Sequence, residues 1–519
     1  MKVALLLGTV ALSLGAATAP PQKVDLLIRG GTIYTGTMAP FVGDVAIRGD
    51  KIVSVSRRAN VTAVRTIDAK GMIVAPGFID PHTHMGGDLA SKDPAERLVP
   101  AFLMQGVTTA FIGNDGGGST DIAKVLGSAK TKPVGINYAA YIGFGAVREK
   151  VIGEADRAPT LAELSDMRRL VSGAMCEGAL GLSTGLFYAP QSFAKTDEVV
   201  ELAKEAALRG GSYDSHIRDE SSYTIGLAGA VDEVIAIARA TRMHTHISHI
   251  KALGVDVQGQ APSIIAKIEA ARAKGLNITA DQYPWSASGT SLVASLMPLW
   301  AQDGGRPALL KRFADASLDK KLREGIVENL RKRGGAEKLL IVEGRYQNKT
   351  LAAVAKERGE DAVTAAIETI KIGDPGVVSF NQSEADIKTF MARPWVMTGS
   401  DASGGHPRVY GSFARKYAYY VKDQKALTLG QFIYRSSTLT ADTFRLTGRG
   451  RLTAGSFADV VVFNPETYAA QATYEQPKLL ASGVLSVVVN GVLAVDKGTM
   501  TGKAAGRALP HKPTPGSCL

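Results

Sequence analysis

His82 and His84, one residue apart at the end of the apolar run 72–79, are the first residues whose type and spacing suggest chemistry. Side chains of a strand alternate, so both imidazoles leave on one face. Two neutral imidazoles side by side are half of a divalent-metal site, although the pair alone also fits a polar strand end. What separates the two readings is whether other apolar runs end in further ligands. They do: the run 107–114 leads into Asp115, 211–216 ends in His216, 244–250 carries His249, and 395–400 leads into Asp401. Of only 8 histidines in the chain, four stand at strand ends together with two aspartates. Three or four such ligands around a divalent ion, with a position open to water, make a hydrolytic centre. The ion lowers the pKa of its water to ~7 and polarises a carbonyl, while a rim carboxylate moves the proton to a leaving nitrogen.

Ligands at strand ends can meet only if the strands are parallel neighbours. Eight strand candidates, at 72–80, 107–114, 134–142, 179–184, 211–216, 244–250, 277–283 and 395–400, alternate with helical patterns such as 161–177, 196–209, 230–241 and 262–274. That alternation predicts an α/β fold, a (β/α)8 TIM-like barrel over 71–445 with its chemistry at the carboxyl ends of the strands. The spacing is regular except between the seventh and eighth strands, where an insertion at 286–394 carries helical stretches at 307–333, 350–357 and 362–370 and a strand-like 338–342. Placed at the active face, it is expected to cap the site, with a purely structural appendage as the alternative. Short alternating β-runs separated by Gly and Asp fill 23–70 and return in 446–506, so both flanks are expected to build one small β-sandwich around the barrel.

The first residues, Met1-Lys2, an apolar run 3–14 and the small residues 15–19, read as a secretory signal peptide over 1–19. The expected location is therefore periplasmic or secreted, with no integral membrane segment after signal cleavage. The net charge of +11 comes from scattered Lys and Arg with acidic neighbours, and no basic block is interleaved with aromatics, which argues against a nucleic-acid partner. Self-association as a homo-oligomer stays open. Cys176 and Cys518 imply no disulfide framework, although an exported protein could pair them. Cys176 reads as a small buried residue and Cys518 as part of a frayed tail, 507–519. Near the site, strand parity sets His244 and His246 opposite His249, against the helices. Gly116-Gly117-Gly118-Ser119 lacks the Lys-Ser/Thr of a phosphate loop and reads as a turn. Asp219 and Glu220 are expected to steady the loop after His216.

The segments Pro76-Gly77-Phe78-Ile79-Asp80-Pro81-His82-Thr83-His84, Gly181-Leu182-Ser183-Thr184-Gly185-Leu186-Phe187-Tyr188-Ala189-Pro190, Ser215-His216-Ile217-Arg218-Asp219-Glu220, Ser248-His249-Ile250-Lys251, Asp281-Gln282-Tyr283-Pro284, Gly399-Ser400-Asp401 and His406-Pro407-Arg408 follow one another in an order that resembles the D-aminoacylase (N-acyl-D-amino-acid deacylase) group of the amidohydrolase superfamily. The resemblance covers nearly the whole chain after residue 19. It implies that His82, His84 and Asp401 line an outer metal position, that Asp401 is the general acid and base, and that His216 and His249 hold a tighter Zn2+. It also implies that Lys251, Tyr283 and Arg408 meet the substrate's carboxylate, with Tyr188 at another pocket position. Two cations and a phenol suit a carboxylate, because charge-assisted hydrogen bonds fix its orientation. As bare residues, Lys251 and Arg408 would equally fit solvated loop charges.

One position departs from the group. Its members carry Gly-Asn-Cys-Gly with the cysteine as zinc ligand, whereas this chain has Gly113-Asn114-Asp115-Gly116. A carboxylate is a harder ligand and can bridge two ions through its two oxygens, so a wider choice of divalent metal and a two-metal site are expected. The competing reading leaves Asp115 only accepting hydrogen bonds from the glycine loop. The expected activity is metal-dependent hydrolysis of a linear amide in a small-molecule substrate, an N-acyl-D-amino acid or a peptide fragment. A dipeptidase or carboxypeptidase, and a non-catalytic periplasmic binding protein, are the alternatives.

Overall fold

The structure is a computed structural model that describes residues 21–518; the signal peptide expected over 1–19 lies outside the described residues. Both flanks of the chain meet in one nine-stranded sheet. Gln22–Ile33, Phe41–Arg48, Lys51–Ser56, Val61–Asp68 and Ile73–Pro76 come from the amino-terminal side, and Val460–Phe463, Val484–Val489, Val492–Asp496 and Thr499–Met500 from the other. The junction is antiparallel, with Val74 opposite Val462. Residue alternation explains how this sheet serves two cores. Val460 and Val462 pack with Ile28, Ile47 and Val74, while Val461 and Phe463 face Phe78 and the rest of the molecule.

The run 72–80, expected as one strand, is two. Ile73–Pro76 belongs to the flank sheet and Phe78–Asp80 to a parallel set. The break is at Gly77, whose N–H donates to the Asp459 carbonyl at 2.9 Å. A Cβ there would collide with the Thr108 side chain, so the crossing needs glycine.

Eight parallel strands form the set whose ends hold the candidate ligands: β1 (Phe78–Asp80), β2 (Val107–Ile112), β3 (Asn137–Ala140 continuing as Ile142–Gly143), β4 (Gly181–Gly185), β5 (Ser212–His216), β6 (Thr245–Ile247), β7 (Ile278–Gln282) and β8 (Val396–Thr398), with ligands at β1, β2, β5, β6 and β8. They pair in that order, β1 with β2 and β3, then the second piece of β3 through β4, β5, β6 and β7 to β8. Just past the strand ends, Asp401 N donates to the His82 carbonyl at 3.0 Å and His84 N to the Ala402 carbonyl at 2.9 Å, bringing the segment after β8 beside that after β1. Helices Gly226–Thr241 and Ala261–Ala273 cover β6 to β8 through Ile247, Ile278, Ala280 and Val396.

His246 therefore corrects an expectation. Ile247 takes the helix-facing side, so His246 points the other way, with Nδ1 2.7 Å from Thr279 Oγ1 and Nε2 3.1 Å from Asp281 Oδ1. His244 shares that face and reaches the same Thr279 hydroxyl. Parity counted from His249 failed because β6 stops at Ile247 and the chain turns before His249, which has φ 35°.

The insertion after β7 has a core of its own, built on an antiparallel four-stranded sheet of Ser288–Ser291, Gly376–Ser379, Leu339–Ile341 and Lys349–Thr350. Its first long helix is interrupted, Gly305–Ala314 and Asp319–Lys332, rather than continuous over 307–333. Cys176 departs from expectation in being exposed rather than buried, and it forms with Cys518 the disulfide that the sequence left open. Nor is the tail frayed, since Leu509 N donates to the Tyr138 carbonyl and His511 N to the Gly178 carbonyl, at 2.7 and 2.9 Å.

Candidate metal centre

Two groups of ligand atoms stand at the carboxyl ends of the parallel strands, His82, His84, Asp115 and Asp401 in one and Asp115, His216 and His249 in the other, each with its atoms within 4.8 Å of one another. Asp115 belongs to both. Its Oδ1 lies 3.3 Å from His82 Nε2 and 3.6 Å from His249 Nε2, and its Oδ2 lies 3.5 Å from His84 Nε2 and 3.6 Å from His216 Nδ1. Asp401 Oδ1 closes the first group at 3.2 Å from His84 Nε2 and 3.7 Å from His82 Nε2. All six metal ligands expected from the sequence are thus brought together.

These separations suit an ion. Ligand atoms bound tetrahedrally at ~2.1 Å lie roughly 3.4 Å apart. Moreover, His82 Nε2, Asp115 Oδ1 and His216 Nδ1 are buried with no hydrogen-bond partner among the described residues. Buried polar atoms are ordinarily satisfied, so this cluster of orphans at one point calls for a cation. The donor set of imidazole and carboxylate fits Zn2+ and also harder divalent ions.

Charge supports the same reading. Burial disfavours the charged form of His84, yet contacts with Asp115 and Asp401 outweigh it and hold the imidazole up at about 9. For His249, burial and Lys251 are overcome by Asp401, Glu220 and Asp115, which raise it to about 10. Asp115, though buried, is held well below the usual carboxylate range by His82 and His249. The pocket's field favours positive charge at this point, supplied by protons when no ion is bound.

Backbone strain and buried carboxylates aim the ligands. Asp115, His249 and Asp401 all have positive φ, at 55°, 35° and 50°, a region sparsely populated by residues other than glycine. Beneath them sit Asp80, Asp214 and Asp281, all fully buried. Asp80 Oδ1 accepts from His82 N and Ser400 N at 3.2 and 3.0 Å, tying the β1 and β8 ends together. Asp214 accepts from Asn114 Nδ2 and Ser248 Oγ, each at 2.9 Å. Asp281 Oδ1 accepts from His249 N at 2.9 Å, and Gly399 leaves room for its carboxylate. Sequence reading missed these three. The available signal was a carboxylate within two residues of the end of a short strand.

The four expected substrate contacts line one cavity of about 450 Å³ with the ligands. Lys251 is buried and engaged, its Nζ 2.6 Å from Glu220 Oε1 and 2.7 Å from His249 Nδ1. Glu220, held down to about 2 because Lys251 and His216 outweigh its burial, also lies 3.1 Å from His249 Nδ1. Arg408 Nη1 pairs with Asp401 Oδ2 at 2.6 Å, and its guanidinium lies over the Tyr283 ring at 4.9 Å. Tyr283 OH accepts from Gln382 Nε2 at 2.8 Å, which leaves its own proton free to donate. Tyr188 packs its ring on His216, centroids 4.8 Å apart. Asp219, one residue before Glu220, accepts from Ser221 N, Thr224 N and Gly226 N. The insertion adds Gly289, Thr290, Arg333 and Val377 to the cavity wall.

Comparison with known proteins agrees with this arrangement. Residues 128–495 match the amidohydrolase family. D-aminoacylase of Alcaligenes xylosoxydans xylosoxydans is 32% identical over 518 residues, spanning 94% of this chain and 98% of that protein. A solved D-aminoacylase structure, described with a binuclear metal centre, has a TM-score of 0.81 at 29% identity and covers 94% of this chain and 100% of its own. N-acyl-D-glutamate deacylase from Bordetella bronchiseptica, solved with zinc and a phosphonate inhibitor, has a TM-score of 0.79 at 29% identity and the same coverage. A cluster of candidate metal ligands at the strand ends and a likeness running nearly end to end lead to one assignment: this chain belongs to the amidohydrolase family and, within it, to the D-aminoacylases.

Proposed function

We propose that this chain hydrolyses N-acyl-D-amino acids at the linear amide, releasing a carboxylate and a D-amino acid. The observation that carries the reading is the pair of ligand groups sharing Asp115, set directly against a wall of Lys251, Tyr283 and Arg408. The activities named for the relatives support it. One or two divalent ions, zinc first among them, held by His82, His84, Asp115, His216, His249 and Asp401, would supply an activated water and polarise the scissile carbonyl. Asp401 is the proton carrier: Arg408 outweighs burial and keeps its carboxyl well below the usual range, so it stands ionised beside the imidazoles. Its Oδ1 faces the imidazoles and its Oδ2 is held by Arg408, an orientation suited to taking the water's proton and delivering it to the amide nitrogen as the C–N bond breaks. Tyr283 OH, the remaining guanidinium N–H groups of Arg408 and Lys251 would hold the α-carboxylate, with Tyr188 bounding the pocket.

The same reading includes a closed (β/α)8 barrel over 71–445 with the insertion 286–394 as its cap, and a β-sandwich formed from 23–70 and 446–506. It also includes export to the periplasm or beyond, for which the signal-like residues 1–19 and the Cys176–Cys518 disulfide are the support. The test is a metal-reconstituted screen of N-acetyl-D- and N-acetyl-L-amino acids and dipeptides, together with Asp401→Asn. Hydrolysis of the D-series, with metal retained and turnover lost in Asp401→Asn, is expected. Preference for dipeptides would assign a peptidase, and chelator-insensitive ligand binding without hydrolysis a binding protein.

A further inference from the structure

A second cavity, of about 810 Å³, opens beside the metal centre and shares His84, Asn114 and Gly117 with the active-site cavity. It lies between the outer face of β2 and β3 and two short helices, α1 (Gly86–Ala90) and α2 (Ile122–Gly127). Its depth is apolar: Leu89, Ile112, Ile122 and Ala140 line it and are buried. Lys124 and Lys132 stand at its outer end. Helices of five and six residues are too short to cover two strands, and the space beneath them is unfilled. Protein interiors rarely leave voids larger than a water molecule, and ligand pockets span ~300–1,000 Å³, so this volume is the size of a ligand site rather than of a packing fault.

The orientation of the substrate says what would enter. On the functional reading above, the α-carboxylate is held by Lys251, Tyr283 and Arg408, which follow β6, β7 and β8. The acyl carbons leave the scissile carbonyl on the side away from the amino-acid half. His84, Asn114 and Gly117 follow β1 and β2 and line both cavities, so that side borders the apolar cavity. A short acyl group such as acetyl would leave it vacant. We propose that this cavity is an acyl-chain site and that the preferred substrates are N-acyl-D-amino acids with medium or long aliphatic chains. The inference rests on the deacylase reading.

The experiment measures kcat/KM with the metal-loaded enzyme for one D-amino acid carrying acetyl, hexanoyl, decanoyl and tetradecanoyl groups. Burying each methylene should raise kcat/KM roughly fourfold until the pocket is full. Two variants narrow the cavity. Gly87→Phe adds a side chain where a Cβ meets no atom within 4 Å, and Ala140→Leu enlarges a buried wall residue. Each should lower the ratio of decanoyl to acetyl kcat/KM at least tenfold, and the use of a ratio corrects for any loss of folded protein. A flat chain-length profile, or a ratio unmoved in both variants, overturns the acyl-chain site while leaving the deacylase reading in place. No hydrolysis at any chain length overturns both.

Discussion

Asp115 Oδ1 lies 3.3 Å from His82 Nε2, and neither atom has a hydrogen-bond partner among the described residues. Two lone-pair donors this close, both buried and both unsatisfied, are what remains when the group between them is a cation. Asp115→Ala is therefore expected to lower metal content per chain, measured by elemental analysis, and to cut kcat/KM at least ~100-fold, since even residues outside the coordination sphere cost 10–100-fold when removed. Asp115→Cys should keep zinc and lose affinity for harder ions such as Mn2+, because a thiolate is the softer ligand. Unchanged metal content in Asp115→Ala would leave Asp115 as a loop anchor only.

A second prediction concerns which nitrogen of His249 is free. Nε2 faces Asp115, so Nδ1 must carry whatever fixes the ring, and there it meets both Glu220 Oε1 at 3.1 Å and Lys251 Nζ at 2.7 Å. A metal-bound His249 would donate its Nδ1 proton to Glu220, and Lys251 would then have to turn toward Glu220 alone or toward a substrate carboxylate. Glu220→Gln is expected to weaken metal binding about tenfold to 100-fold, read by chelator competition. Lys251→Met should instead raise KM more than it lowers kcat, with metal affinity nearly unchanged. The opposite pattern, metal loss in Lys251→Met alone, would make Lys251 a support for the metal site rather than a substrate contact.

The convergence of the candidate ligands was legible in the sequence because they end apolar runs. His82, His84, Asp115, His216, His249 and Asp401 each stand just where a strand stops, and parallel pairing then brings them together without further information. What strand periodicity could not reach were consequences of where strands stop. One residue's uncertainty at Ile247 reversed the faces assigned to His244 and His246, and the crossing at Gly77 turned one expected strand into two. The tail was misread for a different reason. Its order comes from long-range partners, the Cys176 thiol and the carbonyls of Tyr138 and Gly178, which no local pattern announces. The supporting carboxylates Asp80, Asp214 and Asp281 were hidden for the same reason, since a buried aspartate is explained only by the groups it accepts from.

The third prediction concerns a charge that the proposed mechanism does not use. Lys416 is fully buried and its Nζ has no hydrogen-bond partner among the described residues. Burial, reinforced by Arg435 and only partly offset by Asp281, pushes the amine down to about 7. Between that value and its ordinary 10.5 the unfolded chain binds a proton that the folded chain does not. Stability must therefore rise with pH across this window, the direction opposite to that of a lysine engaged in an ion pair. Lys416→Met removes the linkage. At pH 7 the variant is expected to be more stable, by on the order of 1–3 kcal/mol in urea unfolding of the metal-loaded protein, as when a buried charge is replaced by an apolar side chain of similar volume. The advantage should shrink by at most about 1.4 kcal/mol for each pH unit above 7, because that is the free energy of one unit of proton linkage. An advantage equal at pH 7 and pH 9 would mean that Lys416 is already paired and charged in the folded protein, and that the methionine gain, if any, comes from packing alone.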